Sequence, residues 1–353
     1  MREFFSGEAG PLLETLLSSR DNQYCLISTQ QQTGSLPDGQ RNRRLMSDKI
    51  RSQARAVGFD KVGIVGAAVL SQERERLEQW FSRAYHGEMI YMARDPEQRT
   101  DPRMIFPEAR SVIVVALNYY TSHQHSENRA TGKISRYAWG DDYHEVVSEK
   151  LRDLLRWIKE QWPEAEGKIC VDIQPTMDKA WAVRAGLGWM GKHTNLITLD
   201  YGSWVFIGEL LLNLELEYDE QEIADQCGSC TLCIDACPTG AIVEPYVIDS
   251  NLCISHATIE SRAPEMREDL AAHLEGWLYG CDICQDVCPW NHVTPPTDEP
   301  RFEPREGNVT ASLSEILELT PETYAERFRH SAMKRAKLSG LQRNARTLQN
   351  RER

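Results

Sequence analysis

The sequence contains no apolar run long enough to cross a membrane. Its longest, Ser111–Leu117 and Trp204–Leu212, fall far short of the roughly 18 residues a spanning helix needs. An export signal is missing too: Arg43-Arg44 is followed by the polar stretch Ser47–Arg55, with no apolar segment to translocate. The reading is therefore a cytoplasmic protein without a membrane partner. A reducing compartment excludes disulfides as the reason for ten cysteines. A basic excess is also lacking, since 40 Lys and Arg stand against 53 Asp and Glu, a net charge of −13. That excludes a surface built wholly to wrap nucleic acid. One local exception is the C-terminus, where residues 327–353 hold nine Lys or Arg and one Glu. Such a stretch is either a solvated basic tail or a contact for phosphates.

The 353 residues leave room for two or three domains. Residues 1–45 show no sustained periodicity and are read as a disordered extension, with translation expected to start at Met46. From Met46 the pattern Ile50, Ala54, Val57 predicts an amphipathic helix stopped by Gly58. Helices are also predicted at 71–85 and 142–160, the second capped by Asp141 with Val146, Val147, Leu151, Leu154, Leu155 and Ile158 on one face. Strands are predicted at 61–65, 111–117, 168–173, 194–199 and 203–212. These elements make residues 46–220 one α/β catalytic domain. Residues 221–300 form a cysteine-rich unit, and 301–353 a short, basic helical segment. The whole is assigned to the α+β class.

Eight of the ten cysteines fall between residues 227 and 288. Cys227, Cys230, Cys233 and Cys237 follow the x2, x2, x3 cadence closed by Pro238, in which three thiolates hold one 4Fe-4S cube and the fourth reaches the other. The second motif is Cys281, Cys284 and Cys288 before Pro289; its missing leading position is Leu278, and Cys253 is the replacement. One cluster is assigned to Cys227, Cys230, Cys233 and Cys288, the other to Cys237, Cys253, Cys281 and Cys284. Paired zinc knuckles are the competing reading, but tetrahedral zinc does not need this cadence twice. Cys170 reads as a buried thiol in a strand, and Cys25 lies in the extension.

Other signals are weaker. Gly186, Gly188 and Gly191 match a dinucleotide-loop spacing, but a helix precedes them and a strand follows, the reverse of what a nucleotide loop requires. Asp142-Tyr143-His144 opens like a corrinoid-ligating motif, yet Val147 stands where glycine is required. His123 and His125 sit in a polar loop.

Taken as strings, the chain resembles the epoxyqueuosine reductases. The resemblance is carried by Ser135–His144, Cys170–Asp172, Ala185–His193, Gly202-Ser203, Cys227–Pro245, Cys253–Ser255 and Leu278–Pro289. It implies cobalamin as a further cofactor, held between the α/β domain and the ferredoxin-like unit. Corrinoid contacts then map to Arg99, Ser135, Asp172, Leu196, Ile207, Ser255, Cys281 and Asp282. Asp172 is implied as the proton donor, with Asp142 and Tyr143 as further candidates for substrate contact or proton relay. The implied substrate is a tRNA with a GUN-type anticodon carrying epoxyqueuosine at the wobble position. Electrons would come from an external donor of the flavodoxin or ferredoxin type, and a monomer is expected. Family members continue past this C-terminus into HEAT-like helices.

Conversion of an epoxide to an alkene takes two electrons and two protons and releases water. The expectation is that burial against a corrin face keeps Asp172 neutral. Without the resemblance, Asp172 reads first as a strand-end turn residue with Ile173 and Gln174. Lys133, Arg136, Lys334, Arg335 and Lys337 are the candidates for tracking RNA phosphates. A corrinoid-dependent reductive dehalogenase and a ferredoxin-type electron carrier are the rival readings.

Overall fold

The computed structural model describes residues 37–219 and 221–350. Cys25 and most of the 1–45 extension lie outside the described residues.

The first helix, α1 (Asp38–Ala56), starts eight residues before the expected Met46. Its early turns lack the apolar periodicity that would have announced them. Polar contacts mark the stretch instead: Arg43 pairs with Glu215 at 3.0 Å, and buried Ser47 accepts from the Glu217 N–H at 2.8 Å. From Met46 onward, Ile50 and Ala54 go inward as the pattern required.

Strand β1 (Lys61–Gly66), helices α2 (Ser71–Ser82) and α3 (Pro96–Thr100), and strand β2 (Ser111–Asn118) follow. After β3 (Thr131–Ile134) comes α4 (Tyr143–Gln161), whose N-cap is Asp142 rather than the expected Asp141. Asp142 accepts from the His144 N–H, whereas Asp141 is drawn away to Arg301 and Arg305 at 3.3 and 3.2 Å. Then come β4 (Gly167–Cys170), α5 (Asp178–Arg184), the two-residue strands β5 (Trp189–Met190) and β6 (Leu196–Ile197), and β7 (Val205–Leu212).

Strands β1, β2, β7 and β4 form one sheet in that order, antiparallel throughout. Every residue of β2 is buried, because both faces of the sheet are covered. Helices α1 and α4 cover one face, placing Ile50, Val147, Leu151, Leu154 and Ile158 against Ile113, Val115, Leu210 and Leu212. Each such side chain contributes about 1.5–3 kcal/mol by leaving water. The other face packs Val112, Val114, Ala116 and Leu211 against Ala180, Trp181 and Ala182 of α5.

The β4 strand is shorter than its apolar run, ending at Cys170 because Asp172 adopts a left-handed conformation (φ 53°). The 194–199 run likewise shrinks to β6, since Thr194 takes φ 67° in the tight connection back to β5. Gly188 permits that hairpin; a Cβ there would lie 2.0 Å from the Ile197 carbonyl oxygen.

The cysteine-rich unit holds short pieces: α6 (Leu232–Asp235), β8 (Ile242–Glu244), β9 (Val247–Ile248), α7 (Ile254–Ile259), α8 (Glu268–Ala271), β10 (Trp277–Tyr279) and α9 (Ile283–Asp286). The chain ends with β11 (Thr310–Ser312), α10 (Leu313–Glu318), α11 (Pro321–Arg327) and α12 (Lys337–Asn350). A second sheet, ordered β10-β3-β11, takes one strand from each of three stretches of sequence. Leu341, Ala345 and Leu348 of α12 share one core with Ile254, Leu278, Tyr279 and Trp139. The basic terminal segment is thus packed into the body, with Asn344 donating to the Thr258 and Leu278 carbonyls at 2.9 Å. No helix among the described residues is long and apolar enough to cross a membrane.

Candidate active site

The left-handed turn after β4 is where the candidate acid sits. Asp172 is about three-fifths exposed, and the Ile173 N–H closes a turn onto the Val171 carbonyl at 2.6 Å. Both readings of this residue therefore describe the same geometry: it makes a turn, and the turn offers a carboxylate to the open. A non-glycine residue in this region costs of the order of 1–3 kcal/mol and persists only where its surroundings hold it. The Tyr143 hydroxyl donates to Asp172 Oδ2, and His144 Nε2 stands 3.8 Å from the same oxygen. Tyr143 and His144 are in the first turn of α4, so the Asp142 cap that starts the helix also places them.

Asp142 is committed to that cap. Burial pushes its carboxyl up, but hydrogen bonds from His144, including Nδ1 at 2.6 Å, outweigh burial and hold it below its ordinary value. The order is thus Asp142, His144, Asp172, with His144 in the middle. His144 enters the sequence reading only within the discounted Asp142-Tyr143-His144 motif, with no role at the site, although Asp142 and Tyr143 are singled out. The signal available was its place two residues after the N-cap. Burial, joined by the charge of Asp172, pushes the Tyr143 phenol well up, so it remains a hydrogen-bond donor.

The desolvation expected for Asp172 is not supplied by the protein's own atoms, because the side chain is open to solvent. Beside it Ile173 is 72% exposed, and Tyr91, also exposed, lies within its electrostatic reach. Arg99 holds the Tyr91 turn through the Met92 and Tyr91 carbonyls at 2.9 and 3.2 Å and feels the charges of Asp172 and Asp178. Lys179, which donates to Asn195 Oδ1 at 2.7 Å, lies within electrostatic reach of Asp172 and Asp178 and of Cys284 and Cys253.

Of the other residues mapped to the corrinoid, Leu196 is buried in the second-face core and Ile207 is partly exposed on the same side of β7. Ser135 and Asp282 meet each other: Asp282 is 1% exposed, accepts from the Ser135 hydroxyl, and accepts from the Arg136 N–H at 2.7 Å. Ser255 and Cys281 are partly buried.

Cys237, Cys253, Cys281 and Cys284 line one small cavity together with Pro238, Ile248 and Ile283. Cys288 lies within electrostatic reach of Cys227, Cys230 and Cys233. One of the two sets read from the spacing, Cys237, Cys253, Cys281 and Cys284, thus shares a single cavity. Lys192 clamps the first loop, donating to the Gly228 and Cys230 carbonyls at 2.6 and 2.9 Å. Gly202 (φ 53°) lets the start of β7 meet Asn291, whose Oδ1 accepts from the Ser203 N–H at 2.6 Å and joins the sheet to the cluster loops.

One RNA candidate is corrected. Arg136 is buried, its guanidinium between the rings of Trp139, Tyr120 and Trp204, and it donates to the Thr121 carbonyl at 2.7 Å. Arg335 is held by both oxygens of Glu260 at 2.7 Å. Lys334 and Lys337 are exposed, and Lys133 is half-buried.

Residues 99–173 match the family model "Epoxyqueuosine reductase QueG, DUF1730", and residues 226–291 match "4Fe-4S double cluster binding domain". An epoxyqueuosine reductase of Synechocystis sp. is 49% identical over 272 residues, covering 77% of this chain and 93% of the relative. One from Cellulophaga algicola is 45% identical, covering 84% and 96%. A crystal structure of epoxyqueuosine reductase with an epoxyqueuosine-modified tRNA-Tyr stem loop superposes with TM-score 0.81 at 31% identity, covering 86% of this chain and 80% of that one.

Proposed function

The chain belongs to the epoxyqueuosine reductase family, and on that premise we propose how its residues divide the work of the reaction. It is an oxidoreductase that reduces epoxyqueuosine to queuosine in tRNA and binds two 4Fe-4S clusters. The observation that carries the division is the meeting of Asp172, Tyr143 and His144 on a strained turn. Lys179 feels the charge of Asp172 and of Cys253 and Cys284 alike.

Asp172 is the group that gives a proton to the departing epoxide oxygen. With Tyr143 donating to Oδ2, the other oxygen is left to carry that proton and present it. His144, fixed by Asp142, steadies the loaded turn. Clusters held by Cys227, Cys230, Cys233 and Cys288, and by Cys237, Cys253, Cys281 and Cys284, bring electrons singly from an external donor of the flavodoxin or ferredoxin type.

Cobalamin fits these residues. Ile173 and Tyr91 leave apolar surface open beside the acid, and Arg99 holds the Tyr91 turn next to it. When bound, cobalamin supplies the low-potential electron chemistry at the epoxide carbon. Covering the turn would also remove Asp172 from water, which the protein alone does not do. Lys334, Lys337 and Lys133 are the cations left to track the anticodon stem, with the wobble base turned out of its loop into the site. The enzyme works as a cytoplasmic monomer on GUN-type anticodons.

The test is anaerobic reconstitution with iron, sulfide and cobalamin, followed by reduction in the presence of an epoxyqueuosine-bearing stem loop. Queuosine should form, and RNA binding should weaken steeply with salt. No conversion at full iron and cobalt occupancy would overturn the reading.

A further inference from the structure

Glu209 is a carboxyl in the middle of an apolar strand. Alternation along β7 puts it on the face shared by Ile207 and Leu211, and its register partners are Val114 on β2 and Cys170 on β4. It is fully buried, and neither carboxyl oxygen receives a hydrogen bond from an N–H or O–H among the described residues. A charged carboxylate in such a place is expensive, and an unpaired one costs most. A purely structural position on this face would be filled by another valine or leucine.

Helix α5 packs on this face through Ala180, Trp181 and Ala182, and its first turn carries a second carboxyl, Asp178, whose charge acts on Glu209. Asp178 accepts from the Thr176 hydroxyl. Two facing carboxyls form a hydrogen bond only when one of them carries a proton. Burial raises both acids, and each charge raises the other: Glu209 goes well up, and Asp178 is pushed to about 6. The remaining titratable neighbours are few. Asp172 acts on both acids from the 171–176 turn, Cys170 adjoins on β4, Lys179 lowers Asp178 from the next position on α5, and Tyr143 and Arg99 feel Asp178 from across the site.

We propose that Glu209 and Asp178 form a proton-holding pair that recharges Asp172 within one turnover. This rests on the reading of Asp172 as the acid, and it answers a stoichiometric need. Two epoxide C–O bonds break and one C=C bond forms. Two electrons arrive from the external donor through the clusters, and two protons leave with the oxygen as water. Asp172 holds one proton. Once it has given that proton to the oxygen, a second must reach the same carboxylate. The pair behind the turn, sharing a proton between Glu209 and Asp178, supplies it and is refilled from solvent after product leaves. Glu209 never touches substrate; it is a positioning residue for the proton.

The first test needs neither cobalamin nor substrate. In the protein with its clusters intact, infrared spectra at pH 7 should show a protonated-carboxyl band that Glu209→Gln removes and Glu209→Asp retains. The second test is single turnover on the modified stem loop in the reconstituted enzyme. Glu209→Gln should slow product formation about tenfold, and small weak acids such as imidazolium should restore the rate by donating to Asp172 from solution. If Glu209→Gln proves poorly folded, Asp178→Asn is read in its place. A band unchanged in both variants overturns the pair, whatever the activity. A band lost while the turnover rate, its pH profile and its insensitivity to added acid stay as in wild type overturns the recharging role. Failure of wild type to turn over at all would fall on the assignment of function, which the infrared result does not depend on.

Discussion

Asp172 and Asp282 were both singled out for the same cofactor site, and the structure sets them in opposite surroundings. Asp172 is open to solvent on a left-handed turn, where among the described residues Tyr143 donates to one oxygen and His144 approaches it. Asp282 is closed off, with one oxygen taken by the Ser135 hydroxyl and the other by the Arg136 N–H. A carboxylate with both oxygens engaged and no path to solvent cannot hand a proton to anything. It fixes the 135–136 segment against the cluster loop and, with it, the Arg136 guanidinium packed among Trp139, Tyr120 and Trp204. On the proposed reading the strained and exposed aspartate is the one that does chemistry, and the satisfied and buried one holds the frame.

This contrast can be broken by substitution. Asp172→Asn should cut the rate of queuosine formation by about 10²–10⁴-fold while the thermal midpoint and iron content stay as in wild type. Asp282→Asn should act the other way, costing about 3 kcal/mol of stability in denaturant titration because buried donors lose their acceptor. Tyr143→Phe keeps the ring stack on Phe206 and removes one hydrogen bond to the acid, so about a tenfold loss of rate with unchanged stability is expected.

Stability against pH sharpens the comparison further. A buried acid with a raised pKa binds its proton more tightly in the folded chain than in the unfolded one. Its contribution to stability is whole below about pH 4, the ordinary carboxyl value, and is lost as the pH rises through the folded value. Glu209→Gln should therefore leave the thermal midpoint at pH 4 unchanged and raise it at pH 8, by about 3 °C for each kcal/mol recovered. The smallest effect expected is at the surface. Replacing Lys334 and Lys337 by Gln should lower the salt slope of stem-loop binding by about one for each phosphate that no longer meets a cation, with the rate on bound RNA unaffected.

Much of the site was legible in the sequence because thiolate spacing is rigid: the cadence from Cys227 to Cys288 permits few arrangements, residues 226–291 match a double-cluster domain, and Cys237, Cys253, Cys281 and Cys284 line one cavity. The strands β2 and β7 were equally plain, being long apolar runs. What stayed hidden were features set by tertiary contact. The early turns of α1 have no apolar stripe and meet Glu215 and residue 217 far along the chain. Strand β3 is four residues long and takes its partners from distant segments. Arg136 looked like a phosphate contact because charge alone says nothing about burial. Glu209 left the one mark that was missed, an acid inside an unbroken apolar run.

The measurement that bears most directly on the account follows single-turnover product formation and cluster content side by side in Asp172→Asn and Asp282→Asn. The account predicts a crossing: chemistry lost with clusters and fold intact in the first, stability and cluster loading impaired in the second while the folded, loaded fraction still turns over. Equal loss of chemistry in both fully loaded proteins, or wild-type turnover by Asp172→Asn, would contradict it.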